Sequence, residues 1–412
     1  MNTLRLCFLE LCRLLACRLT WLVIALTLLS PLSGLWFFRP ASAGTMLSMY
    51  LANPAIAGGA GNADRGGLGA SLEASRTIFK ARQKIARLFG CPQTEQTAFT
   101  ANSTESLNMA IQGLLRPGDH VITTVMEHNS VLRPLRRMEE QGVRLTVLPV
   151  HPGVDWQIPA EAFEAAVCAD TRMIVCTHAA NLTGDPVDIE AVGRICRRRG
   201  ILFVLDASQT AGVLDIDMER MNIDVVCFTG HKSLMGPQGT GGLCVRKGVE
   251  IRPLLEGGTG IRTYDPRQPL VMPTALEAGT LNGHGLAGLL AAMEWREKEG
   301  RTAAEREISL AEQFYRGIRE LPGVTVYGNF RRRQRAPIVA MNLYGYDSAL
   351  VAEELYGRFG IQTRAGGHCA PLYHRALGTE RQGAVRFSFS CFNTEEEAAE
   401  AVRAVSVLSE EG

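Results

Sequence analysis

The chain has 412 residues, of which 46% are hydrophobic and 21% are charged, which is typical of a globular protein long enough for two domains. Its formal net charge of +1 argues against a basic surface for nucleic acid, so we expect no such partner. The eleven cysteines and eight histidines form no CxxC pair and no zinc-type spacing. The sequence therefore predicts free thiols in a reducing compartment, and no metal site.

The first 45 residues differ from the rest of the chain. Residues 19–38, LTWLVIALTLLSPLSGLWFF, contain no charge and are long enough to cross a bilayer. Arginines precede this run and small residues follow it at 41–43, an arrangement that also fits a signal peptide. A third alternative is an extension that the folded body does not need. We therefore treat residues 1–45 as a separate hydrophobic segment. We expect the rest of the chain to lie in the cytoplasm, where this segment would attach it to a membrane.

After this segment, helical and extended patterns alternate along the chain. Apolar residues spaced from Ala74 to Leu88 predict a first helix that Gly90 ends. A second helix is predicted at 102–115, with Asn102 as its N-cap and Glu105 placed to complete a capping box. Short apolar runs that predict strands occur at 97–100, 121–123, 173–177, 201–206, 225–228 and 242–245. Continuous apolar strands between helices indicate a mainly parallel sheet that is covered on both faces.

A different succession begins near Gly283. A long helical stretch is followed by extended patterns at 323–328, 338–343 and 385–390, with a further helix around 347–360. This pattern predicts a smaller α+β domain. We therefore expect an α/β protein with a large domain at 46–285 and a small C-terminal domain at 286–412.

Polar side chains follow the predicted parallel strands where ligands of α/β proteins usually bind, beyond the carboxyl ends. They follow four strands and begin one helix: Ser103, Thr104, His128, Asn181, Asp206, Gln209, Thr229, His231 and Lys232. Each residue alone has an ordinary structural explanation, as a helix cap or a hydrogen-bonded turn residue. Together they predict one binding rim.

Lys232 lies in the glycine-rich stretch 228-FTGHKSLMGPQGTGGL-243. A nucleotide phosphate loop needs glycine directly before the lysine, and His231 stands there instead. A lysine that forms an imine with an aldehyde cofactor fits better. A pyridine ring of that kind needs a carboxylate at its nitrogen, a stacking group, a donor at its phenolic oxygen and a phosphate site. Asp206 suits the ring nitrogen, His128 the stacking position, and Gln209 or Asn181 the phenolic oxygen. The phosphate site could be formed by Ser103, Thr104 and Thr229.

Two segments, 204-VLDASQTAG-212 and 224-DVVCFTGHKSLMGPQGTGGL-243, resemble the class V aminotransferase-like enzymes that depend on pyridoxal phosphate. Within them the chain is most similar to cysteine desulfurases and selenocysteine lyases. The resemblance runs from about Tyr50 to Val405. Further matching pieces are 126-MEHNS-130, 178-HAANLTG-184, 276-LEAGTLN-282, 364-RAGGHCAPL-372 and 385-VRFSFSCFNT-394. It implies fold type I, with a large, mainly parallel-sheet domain and a smaller C-terminal α+β domain.

The resemblance also implies roles around pyridoxal 5'-phosphate. Lys232 matches the lysine that binds the cofactor covalently, Asp206 the partner of the ring nitrogen, and His128 the stacking residue and acid–base candidate. Gln209 and Asn181 match residues near the phenolic oxygen. The matching phosphate ligands are Thr104, Thr229, His231 and Thr280, the last of which reaches the neighbouring subunit's phosphate and so implies a homodimer.

The same resemblance extends to the substrate. Arg386 and Arg364, with Asn181 beside them, match the binders of a substrate carboxylate. Cys369 matches the cysteine that takes sulfur from the substrate as a persulfide, and His368 stands next to it, where it is expected to lower the thiol pKa. The implied reaction converts L-cysteine to L-alanine and delivers sulfur to an acceptor protein.

Three alternatives remain open on the sequence. The substrate could be L-selenocysteine, or the reaction could be another class V transamination or lyase reaction. The third alternative is a catalytically impaired, membrane-tethered scaffold. It is motivated by residues 19–38 and by 50-YLANPAIAGG-59, where Ala52 stands in place of the family's acid and an opening helix is missing.

Overall fold

The computed structural model describes residues 69–150, 157–332 and 334–411. All of them belong to one compact unit, Thr45–Gly412. The hydrophobic segment at 19–38 and the altered stretch at 50–59 lie outside the described residues, so the expectations about them stay untested. Within the described parts of the chain, no helix is both long and apolar enough to cross a membrane.

Seven strands form the larger sheet: β1 (Thr97–Thr100), β2 (His120–Thr124), β3 (Arg144–Leu148), β4 (Thr171–Thr177), β5 (Leu202–Asp206), β6 (Val225–Thr229) and β7 (Gly241–Val245). Their order is β1-β7-β6-β5-β4-β2-β3. The strands from β6 to β3 are parallel to one another, whereas β7 is antiparallel to both β6 and β1. The predicted mainly parallel sheet is confirmed.

Helices cover both faces of this sheet: α1 (Ala70–Leu88), α2 (Ser103–Leu114), α3 (Asn129–Glu140), α4 (Ala160–Ala166), α5 (Ile189–Arg199) and the start of α6 (Gly283–Ile318). Alternate residues of one strand enter two different cores. Phe203 of β5 packs with residues of α1, α5 and α6, and Val204 packs with residues of α2 and α3. Burial on both faces is why these strands are continuously apolar.

The edge strand β3 was not among the predicted strands. Its residues are exposed at Arg144, half-buried in the middle and buried only at Leu148. An edge strand of this kind has no continuous apolar run, so the pattern that located its neighbours does not apply.

A second, antiparallel sheet has the order β10-β9-β8, from β8 (Val324–Tyr327), β9 (Ile338–Leu343) and β10 (Val385–Ser388). Three more helices accompany it: α7 (Ser348–Phe359), α8 (Pro371–Leu377) and α9 (Glu395–Glu411). The long helix α6 contributes Leu289 to the first core and Phe314 to the core of this sheet. The predicted domain boundary at residue 285 stays a prediction.

A buried ion pair ties the two sheets together. Asp185, in the loop after β4, is fully buried and accepts a hydrogen bond of 2.7 Å from the Asn329 backbone between β8 and β9. Its carboxylate lies 3.7 Å from the Arg335 guanidinium, which stacks over the Phe330 ring at 3.5 Å. Because both charged groups are buried, each depends on the other for its solvation. This contact places the β9–β10 side of the molecule beside the loops that follow β4.

Candidate active site

The carboxyl ends of the central strands are level with one another. Thr177, the last residue of β4, pairs with Asp206, the last residue of β5, and Asp206 pairs with Cys227 of β6. The loops after these strands therefore leave the sheet at one rim, as the sequence predicted.

Lys232 follows β6 in a tight turn. The Gly230 amide donates to the Thr240 carbonyl at 2.8 Å, and the Gly236 amide donates back to the Gly230 carbonyl at 2.7 Å. A Cβ at Gly230 would lie 2.2 Å from the Thr240 hydroxyl oxygen, so only glycine fits there. The turn thus fixes the backbone from which the lysine projects.

The Lys232 side chain has exposed surface, yet its surroundings are those of a cleft. Desolvation lowers the pKa of its ammonium to about 8, an effect that the nearby Asp206 carboxylate opposes and that Arg386 and Arg364 reinforce. Exposure together with strong desolvation is the signature of a side chain inside a concave surface. A lysine with a lowered pKa supplies a neutral, nucleophilic amine.

Asp206 and His128 are held rigidly beside this amine. Asp206 is 3% exposed, and its Oδ1 accepts hydrogen bonds from the Ser208 amide, at 2.9 Å, and from the Ser208 hydroxyl. The Nδ1 of His128 accepts from the Ser130 amide at 3.0 Å and so caps helix α3. This bond assigns the ring proton to Nε2. Burial lowers the pKa of His128, although Asp206 opposes the shift, which favours a neutral ring.

Glu127 is a site residue to which the sequence interpretation gave no role. It is fully buried directly before His128, and its Oε1 accepts from the Thr124 hydroxyl at 2.6 Å and the Thr177 amide at 3.1 Å. Its Oε2 is buried without a partner. Desolvation raises the pKa of Glu127 to about 8, and the neighbouring Asp206 adds to the rise. The only sequence signal was an acid in MEHNS, at the end of a buried strand.

The start of helix α2 forms the anion-binding end of the site. Asn102 Oδ1 accepts from the Glu105 amide at 3.1 Å, so the predicted N-cap is confirmed. Glu105 Oε2 accepts from the Ala101 amide at 2.6 Å, one residue before the position that a capping box uses. The first-turn amides at Ser103 and Thr104 have no partner inside a helix of this kind, and such groups attract phosphate. Ser103 is buried and Thr104 is exposed.

The glycine at the start of β7 brings Thr229 to the same place. Gly241 pairs with Thr229 across β6 and β7, and a Cβ on Gly241 would lie 2.6 Å from the Asn102 Cα. This close approach sets the end of β6 against the start of α2. The Thr229 hydroxyl lies 2.9 Å from His231 Nδ1, so both residues stand at the anion-binding end.

Arg364 and Arg386 face each other across an antiparallel bridge, with backbone hydrogen bonds of 3.2 and 2.8 Å. Arg386 Nη1 donates to the Asn181 carbonyl at 2.8 Å, whereas its Nε is buried without a partner. Burial and then the Arg364 charge lower the pKa of Arg386 to about 10. Asn181 Nδ2 donates to the His368 carbonyl at 2.6 Å, and its Oδ1 is also buried without a partner. Two cations with an unpaired donor suit a carboxylate ligand.

Cys369 is exposed and lies beside these arginines. Its carbonyl accepts from the Asn129 amide at 2.8 Å, and its Sγ lies 3.7 Å from Arg364 Nη2. Both His368 and Cys369 have positive φ, of 49° and 57°, which is unusual for residues with a Cβ and holds the thiol in a constrained turn.

The expectation that His368 lowers the thiol pKa is wrong. His368 is 2% exposed, and its Nε2 donates to the Ala384 carbonyl at 2.9 Å. Burial lowers the pKa of His368 to about 3, so the ring is neutral and cannot stabilise a thiolate by charge. Arg364 is the cation in contact with the sulfur.

The contacts described so far bring eleven of the thirteen predicted site residues to one rim but do not include Gln209 or Thr280. Gln209 is half-buried in the turn after β5, three residues beyond Asp206. Thr280 is exposed between the short 3-10 turn Thr274–Leu276 and α6. Their assignments stay predictions.

Comparison with known proteins decides the family. The model of the class-V aminotransferase family matches residues 36–400. The chain belongs to this family. The class-V match begins upstream of Tyr50, the residue at which the resemblance was expected to start, and so reaches into the first 45 residues.

Relatives of this chain carry more specific names. A probable cysteine desulfurase of Methanothermobacter thermautotrophicus is 33% identical over 344 residues, covering 82% of this chain and 84% of that protein. The cysteine desulfurase IscS of Shewanella amazonensis is 33% identical over 341 residues, covering 79% of each chain.

Solved structures agree with the family. The apo cysteine desulfurase of Thermococcus onnurineus is 29% identical with a TM-score of 0.81, covering 90% of this chain and 91% of that one. The cysteine desulfurase CsdA of Escherichia coli is 27% identical with a TM-score of 0.78, covering 91% and 92%. The predicted fold class, fold type I of the pyridoxal-phosphate-dependent enzymes, is confirmed.

The residues present fit pyridoxal phosphate, the cofactor of the family. A desolvated amine, a buried carboxylate and a helix start with two nearby hydroxyls are the three groups that an aldehyde, a ring nitrogen and a phosphate require. The orphaned Asn181 Oδ1 and Arg386 Nε are buried polar atoms that a ligand can satisfy.

Proposed function

We propose that this chain is a pyridoxal-phosphate-dependent cysteine desulfurase, which converts L-cysteine to L-alanine and transfers the sulfur to Cys369. The observation that carries the proposal is an exposed thiol held near a desolvated lysine. Cys369 lies within the electrostatic reach of Lys232, and its sulfur contacts the guanidinium of Arg364. The names of the relatives support the same activity.

Substrate binding depends on the two arginines. The unpaired Nε of Arg386 and the exposed Arg364 attract the α-carboxylate of an amino acid. That interaction directs the side chain of L-cysteine towards Cys369, because Arg364 is joined to Arg386 through its backbone and contacts the thiol through its guanidinium.

Pyridoxal phosphate, when bound, supplies an electron sink that stabilises negative charge at the α-carbon. Lys232 would hold this group covalently, and its free amine would move the α-proton. Asp206 would hold the ring nitrogen, and His128, with its neutral ring, would be the stacking residue. The start of α2, with Thr229 and His231, would hold the phosphate.

The sulfur step forms one bond and breaks one bond. The Cys369 thiolate attacks the substrate sulfur, a new S–S bond forms, and the bond between that sulfur and the β-carbon breaks. The electron pair of the broken bond stays with the carbon fragment, which is protonated to alanine. The guanidinium of Arg364 stabilises the thiolate before attack.

Two substitutions test the assignment. Lys232→Ala should abolish the visible absorbance of the bound cofactor, because the covalent link is lost. Cys369→Ala should retain that absorbance but form no persulfide from L-cysteine, and alanine production should fall at least about tenfold. Retention of full alanine and sulfide production by Cys369→Ala would show that another group takes the sulfur.

Product analysis separates the remaining alternatives. A keto acid in place of alanine indicates transamination, and faster turnover of L-selenocysteine indicates a selenium substrate. A purified chain that stays colourless with added cofactor indicates the scaffold function. The eight cysteines of the described residues are free thiols, which supports our placement of the enzyme in a reducing compartment.

The assembly is also part of the proposal. We propose a homodimer, in which Thr280 reaches the phosphate site of the partner subunit, and a separate protein that accepts the persulfide sulfur. An exposed loop with large apolar side chains precedes Thr280, and it supports the dimer: Leu255, Ile261, Tyr264, Leu270 and Val271.

A further inference from the structure

A group of polar side chains surrounds Cys168 at the edge of the large sheet where its parallel strands begin. His120, Arg144 and Thr171 begin the parallel strands β2, β3 and β4 and are paired side by side. Parallel strands that begin together point their starts away from the rim that holds Lys232. A strand of five residues spans roughly 17 Å, so the strand starts lie about one strand length from that rim. This edge is therefore a separate site.

Cys168, which precedes β4, is exposed at this edge and is in contact with three polar side chains. Its Sγ lies 3.2 Å from His120 Nδ1, 3.4 Å from the Thr171 hydroxyl and 3.5 Å from Arg144 Nη2. Arg144 also pairs with Asp170 at 2.7 Å, which fixes the guanidinium beside the sulfur. A base, a hydroxyl and a cation therefore surround one accessible thiol.

The hydrogen bonds favour loss of the thiol proton. The Cys168 amide donates to the Thr171 hydroxyl oxygen at 2.8 Å, so the hydroxyl proton is left to be donated to the sulfur or to His120. His120 Nε2 lies 2.8 Å from the Thr146 hydroxyl oxygen; in the tautomer in which Nε2 donates to that oxygen, Nδ1 can accept the thiol proton. The hydrogen bond from Thr171 lowers the pKa of the Cys168 thiol; desolvation opposes this shift, and the hydrogen bond and charge of Arg144 add to the lowering.

His120 is itself suited to be a base. Burial, and then the charge of Arg144, lower the pKa of its imidazole, while Asp170 opposes the shift. A neutral ring is thus available at physiological pH. The pairing of Cys168 with Arg144 has a counterpart within the same chain, because Cys369 contacts Arg364 at a similar distance.

We propose that Cys168 is a second reactive thiol, a modification site that exchanges with small-molecule disulfides of the oxidised-glutathione type. The Cys168 thiolate attacks one sulfur of the disulfide, a new S–S bond forms and the old S–S bond breaks. The departing half leaves with the electron pair as a thiolate and takes the proton that His120 received. Cys168 is oxidised, the departing half is reduced, and no other reactant is needed.

Oxidised glutathione is the probe, and the full-length chain loaded with pyridoxal phosphate is the sample. Cys369→Ser removes the other exposed cysteine of the described residues and serves as the background. Peptide mass analysis follows the mixed disulfide at Cys168 with time. Arg144→Gln and Thr171→Val should each lower the fraction of Cys168 present as thiolate, although the remaining thiolate is more nucleophilic. Each variant should therefore form the mixed disulfide roughly threefold more slowly, or slower still.

Arg172→Gln is the matched control, since Arg172 is exposed on the same strand. It should leave the rate unchanged, and the cofactor absorbance should be the same in every variant, which verifies that each one folds. The proposal is overturned if Cys168 stays unmodified, or if it reacts equally fast in the background, Arg144→Gln and Thr171→Val proteins. None of these outcomes depends on desulfurase turnover.

Discussion

At the residue scale, the rim contains two carboxyl groups in different environments. Asp206 accepts two hydrogen bonds from Ser208, whereas Glu127 has one oxygen buried without a partner. Desolvation raises the pKa of Glu127 to about 8, so at neutral pH it is largely a neutral acid. A protonated Glu127 adds no second negative charge beside Asp206, the residue that we propose as the partner of the cofactor's ring nitrogen.

The raised pKa predicts a pH dependence of stability. The folded chain holds a proton on Glu127 up to a pH of about 8, whereas an unfolded chain loses it near the usual value of 4.5. Folding therefore binds a proton in this window, and the contribution of Glu127 to stability falls as pH rises from about 4.5 to about 8. Glu127→Gln, which keeps the shape without the proton, should flatten this decline in denaturant unfolding measured across the window.

A matched control is Glu139→Gln, since Glu139 is exposed on α3. It should leave the pH profile as in the parent chain. An unchanged decline in Glu127→Gln would mean that another group is responsible for it.

At the element scale, the anion-binding end is made by helix α2 and strand β7 together. The side chain of Asn102 holds the first turn of α2, and the absence of a Cβ on Gly241 lets β7 reach it. A helix start can bind phosphate only if its first amides stay in place. We therefore propose that the cap serves the cofactor site as well as the helix.

Asn102→Ala tests this link. Loss of the bond to the Glu105 amide should lower the free energy of unfolding by about 1 kcal/mol and also weaken cofactor binding, because the first turn loosens. Asp188→Ala removes the corresponding cap of α5, whose side chain accepts from the Ala191 amide at 3.0 Å. It should cost similar stability but leave cofactor affinity unchanged. If both variants bind the cofactor with equal affinity, the Asn102 cap does not contribute to the cofactor site.

At the scale of the whole molecule, buried polar contacts join the two sheets of one chain, whereas exposed apolar side chains suit contact with a second subunit. The pair of Asp185 and Arg335 joins the two sheets and so sets the arginine bridge of β10 beside the rim of the large sheet. In contrast, Tyr264 is fully exposed and Leu270 is 76% exposed in the loop that precedes Thr280. A loop of this composition is typical of a surface that a second subunit covers.

Leu270→Asp tests the dimer. The parent chain should sediment as a dimer at micromolar concentration, and the variant should shift towards the monomer because a charge would be buried in the interface. Its cofactor affinity should fall as well, since Thr280 would no longer reach the partner. Tyr344→Asp, at a side chain that is 85% exposed beside the small sheet, is the control and should stay dimeric. A monomeric parent would contradict the homodimer.

The sequence by itself determined the central strands, the cap of α2 and the lysine turn. These features have local signals: a strand buried on both faces is apolar without interruption, a cap needs an acceptor three residues before its donor, and the turn at Gly230 admits no side chain. The same signals supported the resemblance that the family match confirms.

Only the tertiary structure decided the rest, because it depends on burial and on contacts that the local sequence pattern does not specify. Arg364, not the adjacent His368, contacts the Cys369 sulfur, since burial turns the His368 ring away into a hydrogen bond with Ala384. The environment of Cys168 depends on the starts of three strands that pair only in the folded sheet. Burial and long-range pairing set the protonation of a side chain, and neither is visible in local sequence.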